Sequence, residues 1–442
     1  MKRVAVVGAG ISGLAATRAL DRSAGQPIAV TLFEAEAAAG GHARTVDVTI
    51  DGVAGAVDVG FLVYNERTYP RLVALFAELG VETVASDMSF SVQARTGGGS
   101  ALEWSGSDLA GLFAQPANAL RPAFWRMLAD IERFNRAGRA IADGRRAPPD
   151  GCETLGAFLD HGRYSAPFRD WYLLPMLGCI WSSPPGGMRA HPLRPLLAFC
   201  RNHGLLQVAD RPQWRTVRGG SRHYVERMLS GLGPTSDVRL ATPVRRVRRG
   251  PTGPLVATDA GEERFDAVVL AGHADQSLAL LADADADERA VLGAVTYRPN
   301  TAVLHTDASL LPTCRPAWAA WNFDRGPAST GDDALSLHYW LDRLQPLPFG
   351  RPVIVTLNPN RAIAPAAVLG RFHFEHPVFD VASAAAQAQL QGVHGRGGVW
   401  FCGAWAGHGF HEDGLSAGLA AADGVRAALA APPAAADRKL AA

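Results

Sequence analysis

Three glycines near the N-terminus, Gly8-Ala-Gly10-Ile11-Ser12-Gly13, have a spacing that binds pyrophosphate. Gly8 lets the backbone turn sharply, Gly10 lets a pyrophosphate approach it, and Gly13 leaves room for a helix to lie close against a strand. The amides at the start of that helix, including those of Ile11 and Ser12, then face the phosphates with the positive end of the helix dipole. Glu34 follows about twenty residues on, at the end of a second strand, where its carboxylate can accept hydrogen bonds from a ribose diol. An acid there with no arginine beside it favours a free 2′-hydroxyl, hence the adenosine of NAD or FAD over NADP.

A second set of reactive side chains stands near the other end: Gly403, Trp405, His408, His411, Glu412, Asp413, Gly414, Leu415 and Gly418. Histidines beside acids raise the question of a metal. These lie in a glycine loop without HExxH-type spacing, so no metal is expected. A helix beginning near Gly414 would instead turn its free amides toward a bound ring and stabilise negative charge there. For proton transfer His411 is the first candidate, with Glu412 and Tyr64 as alternatives. A hydrogen bond to the cofactor or the loop is the other role open to His411, and His191 and His203 are further candidates that also suit core positions.

Positioning these groups requires an α/β framework. Val4 to Val7 is a short buried run, Ile11 to Leu20 has helical apolar spacing, and Val30 to Phe33 is the next strand. Val238 to Val247, which includes Val244, together with Leu255 to Thr258 and Phe265 to Ala271, is expected to return strands to the same sheet. Between these segments the pattern gives a helix over 69–79, a hairpin over 81–104 turning at 96–100, and helical spacing from 107 to 144. An antiparallel sheet follows within 297–359, with a further helix over 380–390. Arg121, Arg126, Arg133, Arg136 and Arg139 accompany Phe124, Leu128, Ile131 and Phe134, which suits a solvated arginine face or contact with an anionic membrane. Residues 168–206, aromatic and broken by prolines, suit a core or an apolar pocket.

Composition narrows the function classes. With 442 residues and a net charge of +1, the chain should form two or three domains and has no global attraction for nucleic acid. Five scattered cysteines without CxxC spacing point to a reducing compartment and no zinc site. No apolar run approaches the ~20 residues that span a bilayer, so a cytoplasmic protein is expected, with a peripheral place at the inner membrane as the variant. The only lysines are Lys2 and Lys439, which removes lysine chemistry from an internal site.

The glycine turn, Glu34, the second turn Gly40-Gly41-His42-Ala43-Arg44-Thr45, the strand at 266–272 and the Gly403–Gly418 cluster together resemble the flavin-containing amine oxidase, phytoene desaturase and protoporphyrinogen oxidase superfamily. The segments Phe61-Leu-Val-Tyr64-Asn65, Ile180-Trp-Ser-Ser, Asn202-His-Gly-Leu-Leu and Gly409-Phe-His-Glu-Asp-Gly-Leu look like a bacterial subfamily associated with cyclopropane-fatty-acid-synthase-like methyltransferases, with relatives in furan fatty acid desaturation. The resemblance implies a glutathione-reductase-type Rossmann-like FAD domain over 1–60, 215–290 and 395–430. A discontinuous α+β substrate domain with an antiparallel sheet would occupy 61–214 and 291–394, leaving a disordered tail at 431–442. It also implies FAD contacts at Gly8, Gly10, Ile11, Ser12, Gly13, Glu34, Gly41, His42, Arg44, Val244, Gly403, Gly414 and Leu415. The substrate would be a lipid or fatty acyl chain undergoing desaturation, with amine oxidation and double-bond isomerisation as the other family chemistries. The electron acceptor stays open, O2 among the candidates. No cysteine lies in Gly407–Gly418, so FAD should be noncovalent, and Ala404 stands where many relatives have an acid.

Overall fold

The computed structural model describes residues 1–23, 27–95, 101–208, 210–325 and 336–431. The turn expected at 96–100 and all but the first residue of the expected tail lie outside them. Five parallel strands form the first sheet, in the order Asp237–Arg239, Ile28–Phe33, Lys2–Val7, Ala267–Leu270, Val399–Phe401. The strands Ile28–Phe33, Ala267–Leu270 and Val399–Phe401 and the segment Val4–Val7 are apolar because both faces are covered, whereas the edge strand Asp237–Arg239 keeps its charges at the surface. Val4, Val6, Val30 and Leu32 pack with the helices Ile11–Asp21 and His411–Ala430, whereas Ala5, Phe33, Val268 and Leu270 pack with Ala274–Leu280 and Ala286–Gly293.

Of the strands expected to rejoin this sheet from 238 to 258, only Asp237–Arg239 does so. Val244–Arg248 and Leu255–Thr258 form a separate antiparallel sheet with Gly261–Arg264. Arg245 and Arg248 pair with Asp259 and Glu262 at the surface. A sheet covered on both faces would have to bury those charges, which is costly.

The second body is built on a seven-stranded sheet, in the order 368–377, 297–305, 354–357, 336–340, 321–324, 90–95, 101–105. Its neighbours are antiparallel except for Trp321–Asp324 with Phe90–Arg95. The hairpin of Thr45–Ile50 and Val53–Asp58 contributes Ile50 and Val57 to the core of this body. Asp58, buried at the hairpin's end, accepts from Thr45 Oγ1 (2.5 Å), Ser221 N (2.9 Å), Ser221 Oγ (2.8 Å) and Gln345 Nε2 (2.9 Å). Four donors satisfy a carboxylate that burial would otherwise make costly.

The helix Pro122–Ala142 turns Phe124 and Phe134 into the core and rests Leu128 and Ile131 against it. Its apolar face is therefore used inside the fold and cannot meet a membrane. Arg133 pairs with Asp130 and lies 3.9 Å from the Tyr164 ring centroid, and Arg139 donates to the Leu206 carbonyl. Among the described residues no helix is long and apolar enough to cross a membrane.

Candidate active site

The carboxyl ends of the parallel strands open into a cavity of about 880 Å³, the place where such sheets bind ligands. Gly8 (φ +103°) begins the turn, with its amide donating to the Phe33 carbonyl at 2.8 Å. A Cβ on Gly13 would lie 1.8 Å from the Gly8 carbonyl oxygen, so that glycine serves helix–strand approach. A Cβ on Gly10 would meet no protein atom within 4 Å and would project into the cavity lining. Gly40 N donates to Ala9 O at 2.8 Å, bringing Gly41 against Gly10. The Glu34 carboxylate lines the cavity, one oxygen accepting from Ala9 N (2.7 Å) and the other from Glu36 N (2.9 Å). Each carboxylate oxygen retains a second lone pair for a ribose hydroxyl.

The closing segment forms the opposite wall. Trp405 Nε1 donates to the Gly272 carbonyl at 3.2 Å, and Gln387 Nε2 donates to the carbonyls of Trp405 and Gly407, both at 2.7 Å. The helix begins at His411, three residues before the expected Gly414, because the Asp413 carboxylate accepts from Phe410 N at 2.9 Å and closes its first turn. His411 stacks on Phe61 (centroids 3.7 Å apart, planes at 16°), and its Nε2 is hydrogen-bonded to Tyr224 Oη at 3.0 Å. Burial pushes the His411 imidazole down from 6.5 to about 3, so it is neutral at physiological pH.

The predicted residues divide into groups. Gly8, Gly10, Ile11, Ser12, Glu34, Gly41, His42, Val244, Gly403 and His411 all line the cavity. Gly13, Gly414 and Leu415 do not, and act in packing: a Cβ on Gly414 would come 2.8 Å from Ile11 Cγ2, and Leu415 is core. Arg44 is exposed with its guanidinium 5.6 Å from the Phe372 centroid, while His42 faces inward. Glu412 accepts from Arg71 N (2.9 Å) and Leu72 N (3.0 Å), capping the helix Pro70–Leu79, and is absent from the lining. Tyr64 is buried against Tyr69 and Phe76 while its neighbours Phe61, Leu62 and Val63 reach the cavity. Both are thereby removed from the candidate bases by position.

Several lining residues carry no local signal in the sequence. Tyr224, which bonds His411 from outside the lining, has none either. His273, stacked on Tyr297 (4.3 Å, 10°), and His376, whose ring lies 5.4 Å from that of His42, also belong to the lining. His191 does not line the cavity, whereas His203 does, stacked on Phe199 at 3.8 Å. The segment 168–206 supplies both core and pocket: Phe168 and Leu177 are core, while Ile180, Trp181, Phe199 and Leu205 join Met88, Trp214, Trp321 and Tyr339 along the cavity. Among the described residues of the lining, the only cation other than a histidine is Arg245, which is paired with Asp259.

A flavin dinucleotide fits these donors. The cradle is open at Gly10, Gly41 approaches Gly10 too closely to carry a side chain freely, the Glu34 carboxylate lines the cavity, and His42 Nε2 is buried with no hydrogen-bond partner among the described residues. The Cys402 thiol, pushed up to about 12 by burial, is absent from the lining, which suits a noncovalently held cofactor.

Comparison with known proteins places this geometry. The profile of the flavin-containing amine oxidoreductases matches residues 11–306. A Mycobacterium tuberculosis protein named as a flavin-containing monoamine oxidase, AofH, is 28% identical over 278 residues, which cover 61% of this chain and 56% of AofH. The match thus spans little more than half of that relative. Cyclohexylamine oxidase from Brevibacterium oxydans IH-35A superposes with a TM-score of 0.67 at 17% identity, covering 97% of this chain and 99% of its own. The fatty acid isomerase of P. acnes that produces CLA superposes with a TM-score of 0.64 at 14% identity, covering 95% and 97%. The chain belongs to the flavin-containing amine oxidoreductase family, and its cofactor is a flavin.

Proposed function

We propose that the protein is an FAD-dependent dehydrogenase that introduces a double bond into the acyl chain of a lipid. The observation that carries this reading is the lining supplied by the second body. Met88, Ile180, Trp181, Phe199, Leu205 and Trp321 offer a substrate apolar and aromatic surface with no charged side chain among them. A hydrocarbon chain gains from such a surface, whereas a carboxylate or ammonium lying against those six side chains would meet no counter-ion among them.

A flavin held in the cradle beside Gly10, Glu34 and His42 would supply the electron sink for hydride removal from carbon. The chain's own residues must then orient the substrate, exclude water and take the remaining proton. Stacked aromatics such as Phe199 and Phe410 (5.0 Å, 19°) restrict the substrate's path and keep it dry. His411 is the proton acceptor. When its Nε2–H is donated to Tyr224 Oη, the Nδ1 lone pair remains available for a substrate proton. The superposed fatty acid isomerase supports an apolar chain as the substrate of this fold.

A second reading, oxidation of an apolar amine, is favoured by the sequence match to AofH. Incubation with candidate lipids and apolar amines, followed by mass spectrometry, separates the two. Loss of two hydrogens from an acyl chain is the expected outcome. Aldehyde and ammonia would establish the amine reading, and a shifted double bond at unchanged mass would replace dehydrogenation by isomerisation.

A further inference from the structure

Among the described residues most large exposed apolar side chains are scattered, but three occur together. Leu109 is 75% exposed, Leu120 85% and Trp125 52%. They form one surface: the Leu109 carbonyl accepts from Phe113 N (3.1 Å), the Phe113 ring lies 6.0 Å from that of Trp125, and Trp125 Nε1 donates to Ala119 O (2.8 Å) beside Leu120. That hydrogen bond pins the indole while its ring stays in solvent. Isolated exposed leucines need no explanation, but a contiguous apolar set on a folded surface marks something it meets.

The charge around the patch says what that is. From Asp108 to Ala129 the chain holds two arginines, Arg121 and Arg126, against one acid, Asp108, whose carboxylate accepts from Gly111 N at 2.7 Å as the cap of the short helix at Leu109, although 42 acids nearly balance 43 bases over the whole sequence. Leucines and an amphipathic indole flanked by arginines match the boundary between acyl chains and anionic headgroups. A second copy placed face to face would instead bring each arginine pair against its own kind.

We propose that the surface formed by Leu109, Phe113, Leu120 and Trp125, with Arg121 and Arg126, docks on an anionic lipid bilayer. The proposal stands apart from the reading of the substrate, since none of these side chains lines the cavity. It also differs from the membrane alternative read from sequence, which set the helical face of Phe124 and Phe134 against the lipid, since both side chains are core.

The test is sedimentation of the flavin-loaded, full-length protein with phosphatidylcholine vesicles made with and without phosphatidylglycerol. Binding should require phosphatidylglycerol and weaken as salt is raised. The double variant Leu109→Ser/Leu120→Ser, its bound flavin spectrum unchanged, should bind at least about tenfold more weakly. Arg126→Gln should cost about fivefold, and Val381→Ser, at an exposed apolar side chain elsewhere, should bind as the wild type does. Failure of the wild type to bind phosphatidylglycerol vesicles, or equal binding by the leucine double variant, would overturn the proposal. So would a concentration-dependent dimer that the same double variant dissociates, since that would assign the patch to a second copy.

Discussion

His411 is held in place by two aromatic residues: Phe61 covers one face of the imidazole, and the Tyr224 hydroxyl fixes Nε2. If His411 receives the substrate proton, His411→Ala should retain flavin yet reduce it with substrate about 10² to 10⁴ times more slowly. Tyr224→Phe, which frees the tautomer without removing the base, should have a smaller effect. Anaerobic stopped-flow measurement decides, and a wild-type rate in His411→Ala would leave the ring with only a packing role. The pH profile adds an independent check. Because burial holds this imidazole near 3, kcat/KM should show no acidic limb at the ordinary histidine value of 6.5. Glu34 makes a different demand, since its carboxylate orders Ala9 and Glu36 as well as lining the cavity. Glu34→Ala should weaken flavin binding by about 1 to 3 kcal/mol, measured by titrating apoprotein. Unchanged affinity would show that the carboxylate serves only the loop.

Elements meet at the glycines, and the three glycines of the first turn have separable roles. Gly10→Val adds atoms only to the cavity, so a folded but colourless protein is expected, with a circular dichroism spectrum like that of the wild type. Gly13→Val would press on the Gly8 carbonyl, and a Cβ on Gly418 would lie 2.1 Å from Ser12 O, where the first and closing helices touch. Those variants should lose soluble, cooperative folding altogether; recovery of stable protein from Gly13→Val would contradict the packing argument. The turn and its flanking elements were legible because periodicity and glycine spacing are local properties of the chain. Contacts between distant segments were not. Tyr224 is 187 residues from His411, and Glu412 caps a helix 341 residues away, so neither role leaves a mark beside the residue that performs it. The same limit explains Arg44, since only the path of the second turn decides that His42 faces the cavity and Arg44 the solvent. Residues 244–258 differ for another reason: Val244 and Val247 stand three apart and reach the core only through a register shift between Val244 and Arg246, and the arginines between them decide which sheet accepts the strand.

At the scale of the whole molecule, buried neutral histidines make the fold sensitive to acid. His191, His305 and His411 are 4%, 0% and 8% exposed, and burial is the largest cause lowering each, from 6.5 to about 4, about 4 and about 3. A folded-state pKa below the unfolded one means that the contribution is fully present above about 6.5 and is lost as pH falls toward the folded value. Between these limits the unfolded chain binds up to three more protons than the native one at these sites. Stability should then decline by about 1.4 kcal/mol per pH unit for each histidine, or about 4 kcal/mol per unit for the three together. Asp58, Asp342, Glu412 and Asp413, whose pKa values burial raises, oppose this trend, while His42, His203, His338 and His376, lowered by burial as well, add to it. Since folded domains hold only about 5 to 15 kcal/mol in reserve, two pH units below 6 would remove much of it. Thermal unfolding of the flavin-loaded protein should give a melting temperature nearly constant from pH 8 to 7 and falling steeply below about pH 6. Replacing His305, which is bonded to Thr356 Oγ1 at 2.7 Å, by glutamine should lower the neutral-pH stability and make the acid slope shallower by one proton. An unchanged slope in that variant would mean that His305 takes up its proton inside the fold, and that the acid sensitivity arises elsewhere.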